Sequence, residues 1–265
     1  MRRYGIRDDQ WERIRDLLPG QEGHVGVTAA DNRLFVEAVL YRYRTGMPWR
    51  DLPERFGDWK NVHQRFSRWA KSGVWEKVFL QLSADADNEY AMIDSTIVRA
   101  HQHSAGAQKK AGEDQAIGRS RGGLSTKIHA LVDALGNPIN FFLTGGEAHD
   151  LVGADHLLPS MQADTLIADK AFDADERVIA PLAAAGKTAV IPPKANRRLP
   201  RDYDQYIYQA RHLIENFFAK LKQFRAIATR YDKTAPQLPR RHPPDRRAYL
   251  AQLRTGPSRA NERLT

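Results

Sequence analysis

Residues 203–225 constrain the fold most. Ile207, Ala210, Ile214, Phe217, Phe218, Leu221 and Phe224 recur at the three- and four-residue spacing of one helical face. A helix with so broad an apolar arc needs a packed layer to lie on, so the spacing predicts a long helix over 203–225 against a core. Tyr208, Arg211, Glu215 and Lys222 line the rim of that face. At roughly 100° per residue they fall within about 60° of arc, strung along about 21 Å of helix. A carboxylate held among cations on a packed helix is a site-like layout, although the bland reading is a solvated stripe with an Arg211–Glu215 surface pair.

Two further acids lie in short β-prone runs. Asp94 stands within Tyr90-Ala-Met-Ile-Asp94-Ser-Thr-Ile-Val98, between Ile93 and Ile97, where a charge must be paired or ligated. Asp169 ends Thr165-Leu-Ile-Ala-Asp169. Asp169 could simply cap a helix ahead of Ala171, but Asp173 is expected to take that role and leave Asp169 free. Carboxylates at strand ends, joined by one from a later helix, can surround two hard cations about 3.5–4 Å apart, the arrangement that activates an attacking oxygen and stabilises a leaving one. The chain has no cysteine, hence no thiolate ligand or nucleophile, and Mg²⁺ or Mn²⁺ is expected over zinc. His101, His103 and His129 invite a metal reading but lack a convincing fourth ligand, and are read as loop or core-edge histidines.

The N-terminal third reads as helices. One is expected over 7–18 and another from Asp31 to Thr45-Gly46. A short helix over 51–56, a Gly57 turn and a helix over 58–72 follow. The last puts Val62, Phe66 and Trp69 inward and Lys60, Asn61, Gln64, Arg65, Arg68 and Lys71 outward. That is the helix-turn-helix pattern, and outward Asn and Gln can read base edges; a small bundle with a solvated basic face is the plainer alternative.

Beyond a polar hinge at 83–89, strands are expected at 91–98, 124–133 and 138–143, then a helix at 150–161, a strand at 165–169, a helix at 173–185 and a strand at 188–191. This alternation predicts an α/β unit with a mixed sheet covered by helices. Lys109, Lys110, Arg119 and Arg121 crowd the Gly-rich segment 104–123, expected to be a DNA-contacting loop beside Asp94. A net charge of +9 agrees with a polyanionic partner. The absence of a long apolar run or signal-type N-terminus points to a soluble, intracellular protein with no membrane partner.

The order Asp94, Asp169, Glu215, the Asp169-x-Ala-Phe-Asp173 block and the Tyr208-x2-Arg211-x3-Glu215-x6-Lys222 spacing resemble the DDE transposases of insertion sequences, specifically insertion-sequence family five. Asp94-Ser-Thr-Ile-Val-Arg-Ala-His101-Gln-His103, Gly118-Arg-Ser-Arg-Gly-Gly-Leu-Ser-Thr-Lys127-Ile-His129 and Gly46-Met-Pro-Trp-Arg-Asp-Leu-Pro53 are similar to further blocks of that family, and the likeness runs over about 5–234. The resemblance implies an RNase H-like catalytic domain at 90–234 behind a helical DNA-end-binding domain at 1–82. It implies that Asp94, Asp169 and Glu215 hold two Mg²⁺ or Mn²⁺ ions, with no small-molecule cofactor. Arg211 and Lys222 would meet the DNA backbone or scissile phosphate, and Tyr208 would stack on DNA or contact phosphate. The implied activity is binding of terminal inverted repeats, strand cleavage and strand transfer to target DNA, by a homodimer or larger synaptic complex on the bacterial nucleoid in the cytoplasm. His149 and Asp150 also match a family block and receive no chemistry.

After Thr234 the pattern departs from the family. Pro236, Pro239, Pro243 and Pro244 interrupt a tail crowded with arginines, so 236–265 is expected to be irregular or disordered. Codons for Ala235 to Leu253 can be chosen so that the neighbouring frame encodes an apolar, helix-periodic run. We therefore expect 235–265 to be a frameshifted tail in place of a closing helix, a native basic extension being the alternative. Two rival functions follow: a catalytically impaired remnant that only binds DNA, and a general RNase H-like nuclease.

Overall fold

The computed structural model describes residues 5–23, 29–105 and 115–232. Lys109, Lys110 and the tail from Ala235 onward lie outside the described residues. The N-terminal unit comprises α1 (Asp8–Glu12), α2 (Asn32–Thr45), α3 (Trp59–Lys71) and α4 (Val74–Leu82). Asp31 caps α2 by accepting from the Leu34 backbone N–H at 2.8 Å, and Gly46, in the left-handed region at φ 73°, ends it. Asp58 caps α3 through the Lys60 N–H at 2.8 Å. The faces of these helices meet in a core of Phe35, Val39, Val62, Phe66 and Trp69, where Trp69 stands edge-on to Phe35 at 4.9 Å. Each such side chain contributes about 1.5–3 kcal/mol by leaving water.

Two expected helices are differently built. Residues 7–18 form α1 and then a 3-10 turn at Arg15–Leu17. The short helix before Gly57 is instead a pair of 3-10 turns, Trp49–Asp51 and Glu54–Phe56. Pro53 lacks the N–H that would join them into one helix.

The second unit is one sheet with helices on both faces. Its strands are β1 (Ala91–Ala100), β2 (Gly118–Ser120), β3 (Gly123–Val132), β4 (Pro138–Gly145), β5 (Thr165–Ile167), β6 (Thr188–Val190) and β7 (Thr229–Arg230). The main order is β4-β3-β1-β5-β6, with β3 antiparallel to β1 and β4, and with β1, β5 and β6 mutually parallel. This is the RNase H-like mixed sheet that the resemblance implied. Every residue of β3 from Ser125 to Val132 is buried, because α6 (Asp150–Leu157) covers one face and α9 (His212–Lys222) the other. Since β3 occupies one edge of β1, β5 and β7 share the other: β5 pairs at Ala91 and Met92, β7 at Arg99 and Ala100. Between those pairings the second edge of β1 is open, and Asp94 stands at the start of that opening.

The remaining helices are α5 (Gln102–Ala105), α7 (Ala180–Ala184), α8 (Gln205–Tyr208) and α10 (Arg225–Ala228). The helix expected over 173–185 starts instead as a π-turn at Asp175–Ile179 before α7. Pro181 has no N–H to return to the preceding turn, so the chain widens there. The long helix expected over 203–225 is broken as well. A 3-10 turn at Gln209–Arg211 joins α8 to α9, and the chain bends at Phe224, whose ψ of 98° is extended. That bend sets the Phe224 ring 4.1 Å from the Arg44 guanidinium and turns α10 against α2. Gly46 leaves room for this crossing: a Cβ there would come within 2.8 Å of Arg225. Next to it Arg42, only 3% exposed, pairs with Asp232 at 3.1 Å, so the helical unit is fastened to the end of the sheet unit.

Candidate active site

The three acids come from three elements. Met92 pairs with Ile167 across the parallel β1–β5 ladder, so Asp94, within β1, and Asp169, just past the end of β5, each lie two residues further on at the same level. The pairing of the two strands ends at that level, where β5 stops at Ile167 and β1 runs on to Ala100. Glu215 approaches from α9, whose Ile214 and Phe218 are buried against Met92, Ala130, Val132 and Ile167. The core contact of Ile214 thereby puts Glu215 at the helix rim.

Arg211 joins two of the acids. Its guanidinium donates to Asp94 Oδ2 at 2.7 Å and to Glu215 Oε1 at 2.5 Å. Asp94 Oδ1 accepts from the Ser95 backbone N–H at 2.7 Å, so both of its oxygens are held. Burial pushes the Asp94 carboxyl up to about 6; the Ser95 N–H and Arg211 oppose this, and the charges of Asp169 and Asp150 add to it. Glu215 is the most open of the three, its side chain 58% exposed. As they stand, the acids form no cluster: among the described residues no group of three or more His, Cys, Asp or Glu is close enough to hold a metal ion. The donor chemistry nevertheless suits a hard divalent cation, since the set is all oxygen.

Asp169 also departs from expectation. It caps its own 3-10 turn, Oδ1 accepting from the Ala171 N–H at 2.8 Å, with its second oxygen outside that bond. Asp173, expected to be the cap, is withdrawn from the surface. Its carboxylate accepts from Arg197 at 2.6 Å, Arg201 at 2.7 Å and the Lys194 N–H at 2.8 Å. Burial alone would raise this carboxyl, but those donors outweigh it and hold it below the ordinary range.

Tyr208 is half-buried and edge-on to Tyr203 at 5.5 Å, and burial pushes its hydroxyl up against the pull of Arg211. Lys222 is exposed at the far end of α9. Arg119 and Arg121 are exposed on the β2–β3 hairpin. On α3, Lys60, Asn61, Gln64 and Arg68 are exposed as expected, but Arg65 is not a free outward cation. Its guanidinium lies 4.3 Å from the Phe35 ring and 4.7 Å from Trp69, and it donates to Asn32. The His101 ring packs tilted against Tyr231 at 4.7 Å, and His129 is fully buried with Nε2 bonded to Thr144.

Sequence reasoning missed a polar network under β1. Asp150, the first residue of α6, accepts from Ser95 Oγ at 2.5 Å and from Lys127 Nζ at 3.0 Å. The signal was available: a lysine in the apolar run Ile128-His-Ala-Leu-Val132 and its approaches must find a buried acid.

Residues 88–237, over half of the chain, match the family described as "Transposase DDE domain", and residues 6–79 match the one described as "Putative transposase of IS4/5 family". The chain belongs to the DDE transposases. Within them it falls in the group of insertion-sequence families four and five. It is 51% identical over 108 residues to the uncharacterized protein y4sN of Sinorhizobium fredii, covering 41% of this chain and 86% of that protein. It is 38% identical over 112 residues to the "Putative transposase for insertion sequence element IS6501" of Brucella ovis, covering 42% and 86%. Among solved structures, a chain of a pre-cleavage Mos1 transpososome aligns over 83% of this chain and 85% of its own length, at 9% identity and a TM-score of 0.28. None of the described helices is long and apolar enough to cross a membrane.

Proposed function

We propose that this chain binds the terminal inverted repeats of its insertion sequence and catalyses metal-dependent strand cleavage and strand transfer. What chiefly supports the reading is that Arg211 holds Asp94 of β1 and Glu215 of α9 on one guanidinium, with Asp169 just past the end of β5, two residues beyond the Met92–Ile167 pair. Asp94, Asp169 and Glu215 would hold Mg²⁺ or Mn²⁺, which when bound supplies Lewis-acid activation and charge neutralisation at the phosphate. Arg211, already paired with two acids, would orient them rather than act as a free phosphate contact. Lys222, Arg119 and Arg121 are exposed cations for the DNA backbone, and each phosphate neutralised adds counterion-release free energy. Lys60, Asn61, Gln64 and Arg68 on α3 would meet the element end. Two ends to be joined call for a homodimer or larger synaptic complex, working on the nucleoid in the cytoplasm.

The test is magnesium-dependent cleavage of a labelled element-end duplex by the full chain and by Asp94→Ala, Asp169→Ala and Glu215→Ala. Cleavage is expected to vanish in each variant while end binding stays. Magnesium-dependent cleavage retained by Asp94→Ala removes the catalytic assignment.

The departure from the family pattern at Pro236 favours a second reading, a remnant that binds ends and cuts nothing. A version of the chain with its tail restored to the apolar frame separates the two. Cleavage by both forms makes the tail dispensable; cleavage by the restored form alone makes this chain the remnant.

A further inference from the structure

Three sequence blocks of unassigned role meet at one point. Asp94 and Ser95 are consecutive on β1, so their side chains leave opposite faces. Met92, on the Asp94 face, packs with Ile214 of α9, whereas Ile93, on the Ser95 face, packs with Leu151 and Ala154 of α6. On the α6 face Ser95 Oγ donates to Asp150 Oδ1, and the same oxygen accepts from Lys127 Nζ. Lys127 Nζ also donates to the Ala148 carbonyl at 2.5 Å, which fixes the loop entering α6. Ser95 and Lys127 share a face of the β1–β3 ladder, opposite His129 and Ile97 respectively. The helix lies close: a Cβ on Gly153 would come within 2.3 Å of the His129 ring.

We propose that Ser95, Lys127 and Asp150 form a buttress behind β1 that sets the Asp94 carboxylate for its cation, acting as positioning residues. The inference rests on the reading of Asp94 as a metal-holding acid. Fastening α6 to the sheet needs only the Lys127–Asp150 pair. The hydroxyl of Ser95 adds something different, because the backbone N–H of the same residue holds Asp94 Oδ1 at 2.7 Å. Ser95 is thus gripped from the α6 side and grips Asp94 on the α9 side, so freedom at Ser95 becomes freedom at the carboxylate.

The test is Mn²⁺ binding to the full-length protein, followed by the loss of the free-ion paramagnetic resonance signal, alongside the melting temperature. Ser95→Ala and Asp150→Asn are expected to weaken Mn²⁺ binding about tenfold, the lower end of the range for groups that orient metal ligands. Ser95→Thr, which keeps the hydroxyl, is expected to restore it. A lowered melting temperature with unchanged Mn²⁺ affinity in both variants reduces the network to an anchor for α6 and overturns the proposal. Wild-type Mn²⁺ binding that Asp94→Ala leaves intact overturns the metal reading and the buttress with it. Should Asp150→Asn fail to fold, the comparison of Ser95→Ala with Ser95→Thr decides alone.

Discussion

Arg211 lies between Asp94 and Glu215, donating to the first at 2.7 Å and to the second at 2.5 Å, so one guanidinium neutralises acids from β1 and α9 together. The two bonds differ in weight. Asp94 is largely buried, while the Glu215 side chain is 58% exposed and its pairing is screened by water.

Arg211→Ala therefore strands a buried carboxylate. A stability loss of about 1–3 kcal/mol is expected at pH 8, read by urea denaturation of the metal-free protein. Glu215→Ala, by contrast, is expected to cost under about 1 kcal/mol. Equal losses in the two variants would contradict the difference in burial.

The pH dependence follows from Asp94. Its carboxyl sits at about 6 in the fold, against 3.8 for the free group, so the folded state binds this proton more tightly than the unfolded state does. The favourable contribution is complete below pH 3.8 and is lost as pH rises through about 6. Asp94→Asn, which never ionises, is expected to be more stable than wild type at pH 8 by about 1–3 kcal/mol. The advantage should vanish at pH 3.5, and denaturation curves at the two pH values check it. A stability gain independent of pH would show that the charge is not its source.

Asp173 is expected to be structural. Arg197 and Arg201 converge on its carboxylate, whose side chain is 1% exposed, and the Lys194 N–H completes the cage. Asp173→Ala leaves two arginines without their anion and should cost about 3 kcal/mol. Released from the cage, residues 192–204 should become a trypsin-sensitive site at Arg197 and Arg198. Wild-type resistance to trypsin in the variant would mean that other contacts hold this segment.

The Arg42–Asp232 pair ties the helical unit to the sheet unit, with the Arg42 side chain 4% exposed. Asp232→Ala is expected to destabilise by about 3 kcal/mol by leaving a buried cation unpaired. The two units should then unfold in separate calorimetric transitions. A single undivided transition would show that the Phe79–Phe141 contact and the α2–α10 packing suffice to couple them.

Much of the candidate site was legible in the chain because it depends on local chemistry. Apolar spacing put Ile214 and Phe218 on the buried side of a helix and so Glu215 at its rim. A charged residue between Ile93 and Ile97 had to have a partner, and Asp94 has Arg211. Capping was harder to read. Asp169 and Asp173 both precede helical turns, and which one caps was settled by Arg197 and Arg201, more than twenty residues away, drawing Asp173 inward. The break at Phe224 and the packing of Arg65 on Phe35 and Trp69 were equally out of reach, since each answers to a side chain from another element.

By itself the sequence determined the order of elements and the helical unit ahead of a mixed sheet, and it singled out three acids as candidates, because periodicity and β propensity act between near neighbours. Only the tertiary structure decided which cation stands between those acids, which faces of β1 carry Asp94 and Ser95 into separate networks, and how α2 is fastened to α10. Those outcomes depend on which distant groups come to share one buried volume, where each charge must find its partner among whatever the fold brings there.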